Sequence, residues 1–534
     1  MLSSAVRSAH NVGAIVIVFV LIGLSNWANK TGHQSSLTPQ QMQLVTNFAN
    51  KNNLNVSNAA NNSKSTTAIT TTTIPSSSSN ICQSLSPTET IFVLIPSYRD
   101  MECSETIMDV FMKAACPYRI YIGVVEQNSY KCGDFGCKST IQMAIQDAIN
   151  DNVAVTLRKL ESNIRVYSID AHDAKGPNHA RAVAMRHLYR GEMFVLCIDS
   201  HTCMANAWDI KVVQQLKRCQ YQIQNQQGNN TQSGATAYNS VPNKVILTMR
   251  PGNWTKRAYA YTNSNNANNN NVNIYEDNPP TFMCAQGFKK DSCLPIISSQ
   301  QMARSPVKPI PQLFWSSRFS FTYAAIHMEC PFDPLLHHLY TGDEICMSSR
   351  FWTSGWNFYT PFTMLCLHKE DKTYRPSYWE TQSLALETDT PMITTKNKRA
   401  LSQNNSRYIE RRSDAAEMRV QVVLGMRTVQ QFQEPNGVAT TNNNADDCAI
   451  RGTNPFQSPN NLLPGGTYGL GTTRLLPQYS EFMGIDFRGL VADPLAILGI
   501  VDESDAAELL CKYGSNENYL QRKSATESIY AIPQ

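Results

Sequence analysis

The stretch Gly191-Glu-Met-Phe-Val-Leu-Cys-Ile-Asp-Ser-His-Thr-Cys-Met-Ala-Asn-Ala-Trp-Asp209 decides how the rest of the chain is read. Met193 to Ile198 is a short apolar run, the pattern of a strand buried on both faces. Asp199, Ser200 and His201 follow at its end. On an extended backbone side chains alternate, so the carboxylate and the imidazole would project from one face and Ser200 from the other. Such a pair can grip one divalent cation at the carboxyl edge of a sheet, where open α/β sheets bind ligands. The helix-like Asn206–Gln215 carries the chain away. Taken alone, the tripeptide more often reads as a helix cap followed by a surface histidine.

Working outward, further apolar runs predict strands at Thr90–Ile95, Tyr118–Val125, Asn163–Ile169 and Lys244–Met249. Helical spacing marks Glu105–Ala115 and the residues from Ala174-Lys-Gly-Pro177 to about Tyr189. Strands alternating with helices imply an α/β fold, with a mostly parallel sheet and helices on both faces. The Asn-rich stretches Gln222–Thr231 and Asn263–Asn273 look like inserted surface loops, with another low-complexity break around Thr440–Asp447. After Trp379 the clearest signal is helical spacing over Ser406–Met426, with Arg407, Arg411, Arg412 and Arg419 expected on a charged outer face.

With 534 residues the chain can bury one large core or two domains. A net charge of +4, without a basic run interleaved with aromatics, argues against nucleic acid as a partner. The 15 cysteines are an odd number, so at least one thiol stays unpaired if the others are bridged. Cys132 and Cys137 are close enough for a short disulfide loop, or a metal pair, although no second pair at zinc-like spacing accompanies them.

Val12 to Leu24 is unbroken apolar or glycine sequence, followed by Trp27, a typical interfacial anchor. The span is short for a membrane helix and also fits the core of a signal peptide. No clean Ala-x-Ala site follows, so an uncleaved anchor is expected, with its amino end in the cytosol. Thr31 to Asn80 is rich in Asn, Ser, Thr and Gln and is expected to be a flexible stem. Sequons begin at Asn29, Asn55, Asn61, Asn229, Asn253 and Asn404, consistent with a luminal protein. The expected division is a cytosolic tail (1–11), a transmembrane anchor (12–28), a stem (29–88), a catalytic domain (89–380) and a C-terminal extension packed on it (381–534).

An Asp-x-His at a strand end resembles the metal-binding motif of sugar-nucleotide glycosyltransferases, in which the cation bridges protein and diphosphate. Asp199 and His201 are then candidate ligands for Mn²⁺ or Mg²⁺. His368 ends the apolar run Thr363-Met-Leu-Cys-Leu-His368 and is a candidate third ligand, or a satisfied structural histidine. In Thr341-Gly-Asp-Glu344 the paired carboxylates Asp343 and Glu344 could orient a sugar or acceptor hydroxyl, or simply cap the next helix. Arg99, Lys175 and Arg181 could face a diphosphate or a uracil, or be solvated surface charges.

Several longer motifs occur in order: Phe92-Val-Leu-Ile-Pro-Ser-Tyr-Arg-Asp100, Ala174-Lys-Gly-Pro177, Ile198-Asp-Ser-His201, Cys330-Pro-Phe-Asp-Pro334, Gly342-Asp-Glu344, Arg350-Phe-Trp-Thr-Ser-Gly355 and Phe482-Met-Gly-Ile-Asp-Phe487. The series resembles the polypeptide α-N-acetylglucosaminyltransferases of glycosyltransferase family 60, over roughly Thr90–Tyr378 and again in the tail. The resemblance implies a GT-A fold, a divalent cation, UDP-N-acetylglucosamine as donor and retention at the anomeric carbon. It implies Asp199, His201 and His368 as metal ligands. Ser97, Tyr98 and Arg99 would lie beside the nucleotide, Gly342, Asp343 and Glu344 beside sugar and acceptor, and Trp352 and the basic Lys175 and Arg181 among the substrate-binding residues. The family more often carries Gly-Glu-Glu where this chain has Gly342-Asp-Glu344, so Asp343 is one methylene shorter. Some members modify a cytosolic hydroxyproline; membrane-anchored kinetoplastid members modify threonines of mucin-like proteins in the Golgi. The anchor, stem and sequons favour the second acceptor. Transfer from another UDP-sugar, glycoside hydrolysis by paired acids and an inactive membrane-tethered binding protein are the competing readings.

Overall fold

The computed structural model describes chiefly residues 88–147, 152–229, 244–254, 278–371, 373–376, 413–428 and 459–493, with isolated positions such as Cys82, Tyr378 and Thr381. The expected anchor, nearly all of the stem and the Asn263–Asn273 and Thr440–Asp447 stretches lie outside the described residues. Among those described, no helix is long and apolar enough to cross a membrane.

In chain order the elements are β1 (Ile91–Tyr98), α1 (Cys103–Met112), β2 (Ile120–Asn128), α2 (Cys137–Asp147), α3 (Asn152–Leu160), β3 (Ile164–Asp170), α4 (Pro177–His187), β4 (Phe194–Ile198), β5 (Thr202–Met204) and α5 (Trp208–Asn229). Then follow β6 (Val245–Thr248), β7 (Gly252–Asn253), β8 (Thr281–Phe288), β9 (Pro295–Gln301), β10 (Phe319–Tyr323), α6 (Ile326–Glu329), α7 (Asp343–Thr353), β11 (Asn357–Tyr359) and β12 (Cys366–His368). Helix α8 spans 413–423. It precedes α9 (Leu476–Met483), β13 (Ile485–Asp486) and β14 (Val491–Ala492). Residues 139–161 form a compact unit of their own, most of α2 plus α3. Within it Gln142 donates to Glu161 (2.6 Å) and Arg158 to the Ile145 carbonyl (3.3 Å).

The main unit is built on a seven-stranded sheet in the order β11-β6-β10-β4-β1-β2-β3. β1 pairs in parallel with β2 and β4, β2 with β3, and β6 with β11. Only β10 runs against its neighbours, β4 and β6. The protein is therefore mixed α/β around a largely parallel sheet. Every residue of Ile91–Ile95 and of Phe194–Ile198 is buried, so both faces of the central strands are covered. On one face Phe92, Leu94, Val195 and Cys197 join a core with Ala180, Val183 and Ala184 of α4 and with Phe351 and Trp352 of α7. The antiparallel β10 and the β8–β9 hairpin have no counterpart among the expected strands. Their runs are broken by Ser, Thr, Cys and Gln, which hides strand character from a hydrophobic pattern.

Two local expectations change. The Gln222–Thr231 stretch is not a surface loop at its start, because α5 continues to Asn229. Glutamine has good helix propensity, and the run inherits a helix already nucleated at Trp208. Cys132 and Cys137 are not bridged to each other. Cys137 is bonded to Cys103 and Cys82 to Cys116, leaving Cys132 free and exposed. The bridge from Cys103 to Cys137 joins the starts of α1 and α2, next to the carboxyl ends of β1 and β2.

The carboxyl-terminal segments pack into the main unit. Arg419 of α8 forms a buried ion pair with Asp333 (2.7 Å), and the buried Arg350 of α7 donates to the carbonyls of Thr467 (2.9 Å) and Gly469 (3.2 Å).

Candidate active site

The carboxyl ends of β1, β2 and β4 open into a cavity of about 380 Å³. Its wall includes Tyr98, Gln127, Asp199, His201, Asp343 and Glu344, with Arg181, Arg250, Arg318 and Arg375. In its wall Asp199 and His201 meet the buried His368, and the three offer one ligand atom each, all within 4.8 Å of one another. They meet by a route other than simple alternation. β4 ends at Ile198, Ser200 and His201 lie in a turn, and Thr202 begins β5, whose partner β12 carries His368 opposite Thr202. The turn is fixed by Thr202 Oγ1, which donates to the Asp199 carbonyl (2.8 Å), and by Thr106, which donates to the Ser200 carbonyl (2.8 Å).

One carboxylate and two imidazoles suit a divalent transition ion. Asp199 Oδ2 is 3.0 Å from His368 Nε2, and the two histidine rings stand 4.5 Å apart at 65°. His201 Nδ1 is hydrogen-bonded to Asp100 Oδ2 (2.8 Å), while its Nε2 is buried with no hydrogen-bond partner among the described residues. An unpartnered, buried ring nitrogen in a cluster with a carboxylate suits a cation ligand, because such an atom is costly without a partner.

The charges are arranged accordingly. Burial alone would raise the Asp199 carboxyl, yet the His368 hydrogen bond and the charges of His368, His201 and Arg181 hold it well below the usual range. Burial pushes the His201 imidazole down, outweighing the pull of Asp100 and Asp199, so this ring is neutral at pH 7. Burial would raise Asp100 too, but His201, Arg375 and Ser200 keep it low.

Beyond the cluster, Arg181 bridges two carboxylates, 3.6 Å from Asp199 and 3.5 Å from Asp343. Asp343 and Glu344 open α7, preceded by Gly342 at φ 110°, a left-handed conformation that glycine adopts without strain. Glu344 is locked by Arg250, by the Ser316 hydroxyl (2.9 Å) and by the Ser317 amide (3.1 Å). Burial would raise it, but Arg250 holds it ionised. Burial and the adjacent Glu344 push Asp343 up to about 6. Two neighbouring carboxyls thus differ in acidity, because Glu344 is clamped by Arg250 while Asp343 shares Arg181 with Asp199.

Of the residues singled out from sequence, the cavity or its metal cluster brings together Tyr98, Arg181, Asp199, His201, Asp343, Glu344 and His368. It does not gather the rest. Ser97 is fully buried, with its carbonyl accepting from Gln127 (3.1 Å). Arg99 leaves β1 at φ 46° and forms a two-point ion pair with Asp134 (2.7 and 3.0 Å). Lys175 offers its carbonyl to the His338 amide (2.8 Å) and is not among the lining residues. Trp352 stacks on Tyr479 (5.0 Å) and Phe482 (5.8 Å), with Arg474 3.9 Å from its ring, in the C-terminal interface.

Sequence reasoning passed over Asp100, Gln127, Arg250, Arg318, Tyr340, Arg375 and Tyr378. Arg250 did carry a signal, since it follows an apolar run as Asp199 does. Arg375 sits in Tyr374-Arg-Pro-Ser-Tyr378, which has no periodicity at all.

The family model described as Glycosyltransferase (GlcNAc) matches residues 90–158 and 147–489. No curated protein matches the chain. Among solved structures, the crystal structure of GalNAc-T7 with UDP, GalNAc and Mn²⁺ is similar at 11% identity over 59% of this chain and 54% of that one, with a TM-score of 0.33. TarS of S. aureus is similar at 11% identity over 58% and 41% of the two chains, with a TM-score of 0.28. The mannosyltransferase PcManGT from Pyrobaculum calidifontis, in complex with GDP-Man and Mn²⁺, is similar at 11% identity over 65% and 79%, also at 0.28. The matched region spans about half the length of the GalNAc-T7 and TarS chains.

Proposed function

The chain belongs to the glycosyltransferase (GlcNAc) family, and from that premise we propose that it moves N-acetylglucosamine from UDP-GlcNAc to threonine or serine hydroxyls of a mucin-like polypeptide, with retention. The observation that carries the reading is the order of groups along the cavity. Gln127 lies next to the end of β2 and Tyr98 ends β1; Asp199 follows β4, Arg318 precedes β10, and Arg250 follows β6. The sheet order places these strands side by side, so the groups span four strand spacings, about 19 Å. An aromatic and amide station, a cation station and a carboxylate–arginine station suit a base, a diphosphate and a sugar in turn.

The cation that Asp199, His201 and His368 would hold, Mn²⁺ or Mg²⁺, supplies neutralisation of the departing diphosphate. Arg181, between Asp199 and Asp343, adds fixed positive charge on the same side. Glu344, ionised and clamped by Arg250, accepts hydrogen bonds from donor-sugar hydroxyls. Asp343 lies beside the acceptor. The threonine hydroxyl attacks the anomeric carbon from the face the diphosphate leaves. The new C–O bond forms as the old one breaks, and the hydroxyl proton passes to the leaving phosphate. No separate enzymatic base is required.

The apolar run Val12–Leu24 and the polar stem support a single-pass Golgi membrane protein with a luminal catalytic region. The test is mass spectrometry of a Thr-rich mucin peptide incubated with UDP-GlcNAc and Mn²⁺, with and without chelator. The peptide should gain one N-acetylhexosamine on threonine, and none with chelator. A β linkage would refute retention, and release of free sugar alone would point to hydrolysis.

A further inference from the structure

Gln127 supplies the amide of the base station in the cavity wall. It lies near the end of β2, in register with Tyr98 of β1, and is only 2% exposed. Its Nε2 donates to the Ser97 carbonyl (3.1 Å). A backbone carbonyl can only accept, so that contact fixes which end of the amide is nitrogen and turns Oε1 away from Ser97. Oε1 is buried and has no partner among the described residues. An acceptor in that state is costly and calls for a donor. The surroundings are aromatic. Tyr98 and Tyr378 meet edge to face at 5.2 Å, Tyr340 stands 5.5 Å from Tyr378, and all three line the cavity with Gln127.

A flat heterocycle presenting one N–H between carbonyls matches this pocket. We propose that the Gln127 side-chain carbonyl accepts the imide N–H of the donor's uracil, making Gln127 the residue that selects uridine over cytidine nucleotides. The inference rests on the uridine-nucleotide reading given above. Cytosine offers a lone pair at the same ring position, so two acceptors would face each other and the buried oxygen would stay unpaired.

The test is calorimetric titration of the full-length protein in Mn²⁺ with UDP, CDP and N3-methyl-UDP, in which a methyl group replaces the imide hydrogen. The unaltered protein should bind UDP roughly ten- to a hundredfold more tightly than either analogue. Gln127→Leu should lose about that factor for UDP and bind UDP and CDP alike, while its Mn²⁺ affinity without nucleotide stays unchanged. CDP or N3-methyl-UDP binding the unaltered protein as tightly as UDP overturns the inference without needing any variant, and leaves the uridine-nucleotide reading intact. A Gln127→Leu protein that keeps the full UDP preference also overturns it. A protein that takes up Mn²⁺ but no UDP defeats the uridine-nucleotide reading itself, and the inference with it.

Discussion

Asp100 Oδ2 lies 2.8 Å from Nδ1 of His201, and this contact leaves Nε2 as the ring nitrogen available to a cation. The same carboxylate accepts from the Ser200 hydroxyl (2.6 Å), the Tyr374 hydroxyl (2.9 Å) and Arg375 (3.0 Å). It holds the imidazole with Nδ1 protonated and Nε2 bearing the lone pair. Asp100→Asn keeps the size but sets an amide nitrogen against donors. Divalent-cation affinity should fall about ten- to a hundredfold, read by electron paramagnetic resonance of Mn²⁺ titrated into the metal-free protein. Unchanged affinity would show that the contact does not orient the ring.

Asp199 is the one carboxylate of the proposed metal cluster. Asp199→Ala should reduce transfer by roughly 10²–10³-fold or more and abolish tight Mn²⁺ uptake. A chelator should reproduce the loss in the unaltered protein, and added Mn²⁺ should restore it. Transfer that survives both treatments would remove the cation from the reaction.

Glu105 of α1 provides a pH signature remote from the sugar station. Burial, with the charge of Glu102, raises its carboxyl from an ordinary 4.5 to about 7. The folded protein therefore holds a proton that the unfolded chain has already released. Stability contributed in this way is full below about 4.5 and is lost as pH rises towards 7. Glu105→Gln should flatten that decline, making the variant more stable than the parent at pH 8 by on the order of 1–2 kcal/mol. Urea unfolding at pH 5 and pH 8 checks the sign.

Arg419 and Asp333 are 2% and 3% exposed and form a 2.7 Å ion pair. Arg419→Ala strands a buried carboxylate and should cost about 3–5 kcal/mol. The double change Arg419→Met with Asp333→Asn should recover much of that, since it removes both charges. If the single change leaves the urea midpoint unmoved, α8 does not stabilise the main unit through this pair.

What the sequence determined by itself was the parallel part of the sheet and one site motif. The strands β1, β2, β4 and β6 are short apolar runs, because strands covered on both faces need no polar alternation; the edge strand β3 was marked by Ile164, Val166 and Ile169 although most of it is half-buried or exposed. Asp199, His201, Asp343 and Glu344 were visible because they follow a strand or open a helix. Tertiary structure alone decided the rest. The antiparallel β10 inserts between β4 and β6 through pairings distant in sequence, which no local pattern encodes. The expected Asp199–His201 alternation gave way to a turn, and His368 arrives only because β12 pairs with β5. Arg99 and Trp352 show the converse: motif residues were drawn elsewhere by Asp134 and by Tyr479. Gln127, Arg375 and Asp100 acquire meaning only as neighbours, because a hydrogen bond depends on distance and direction in space, not on separation along the chain.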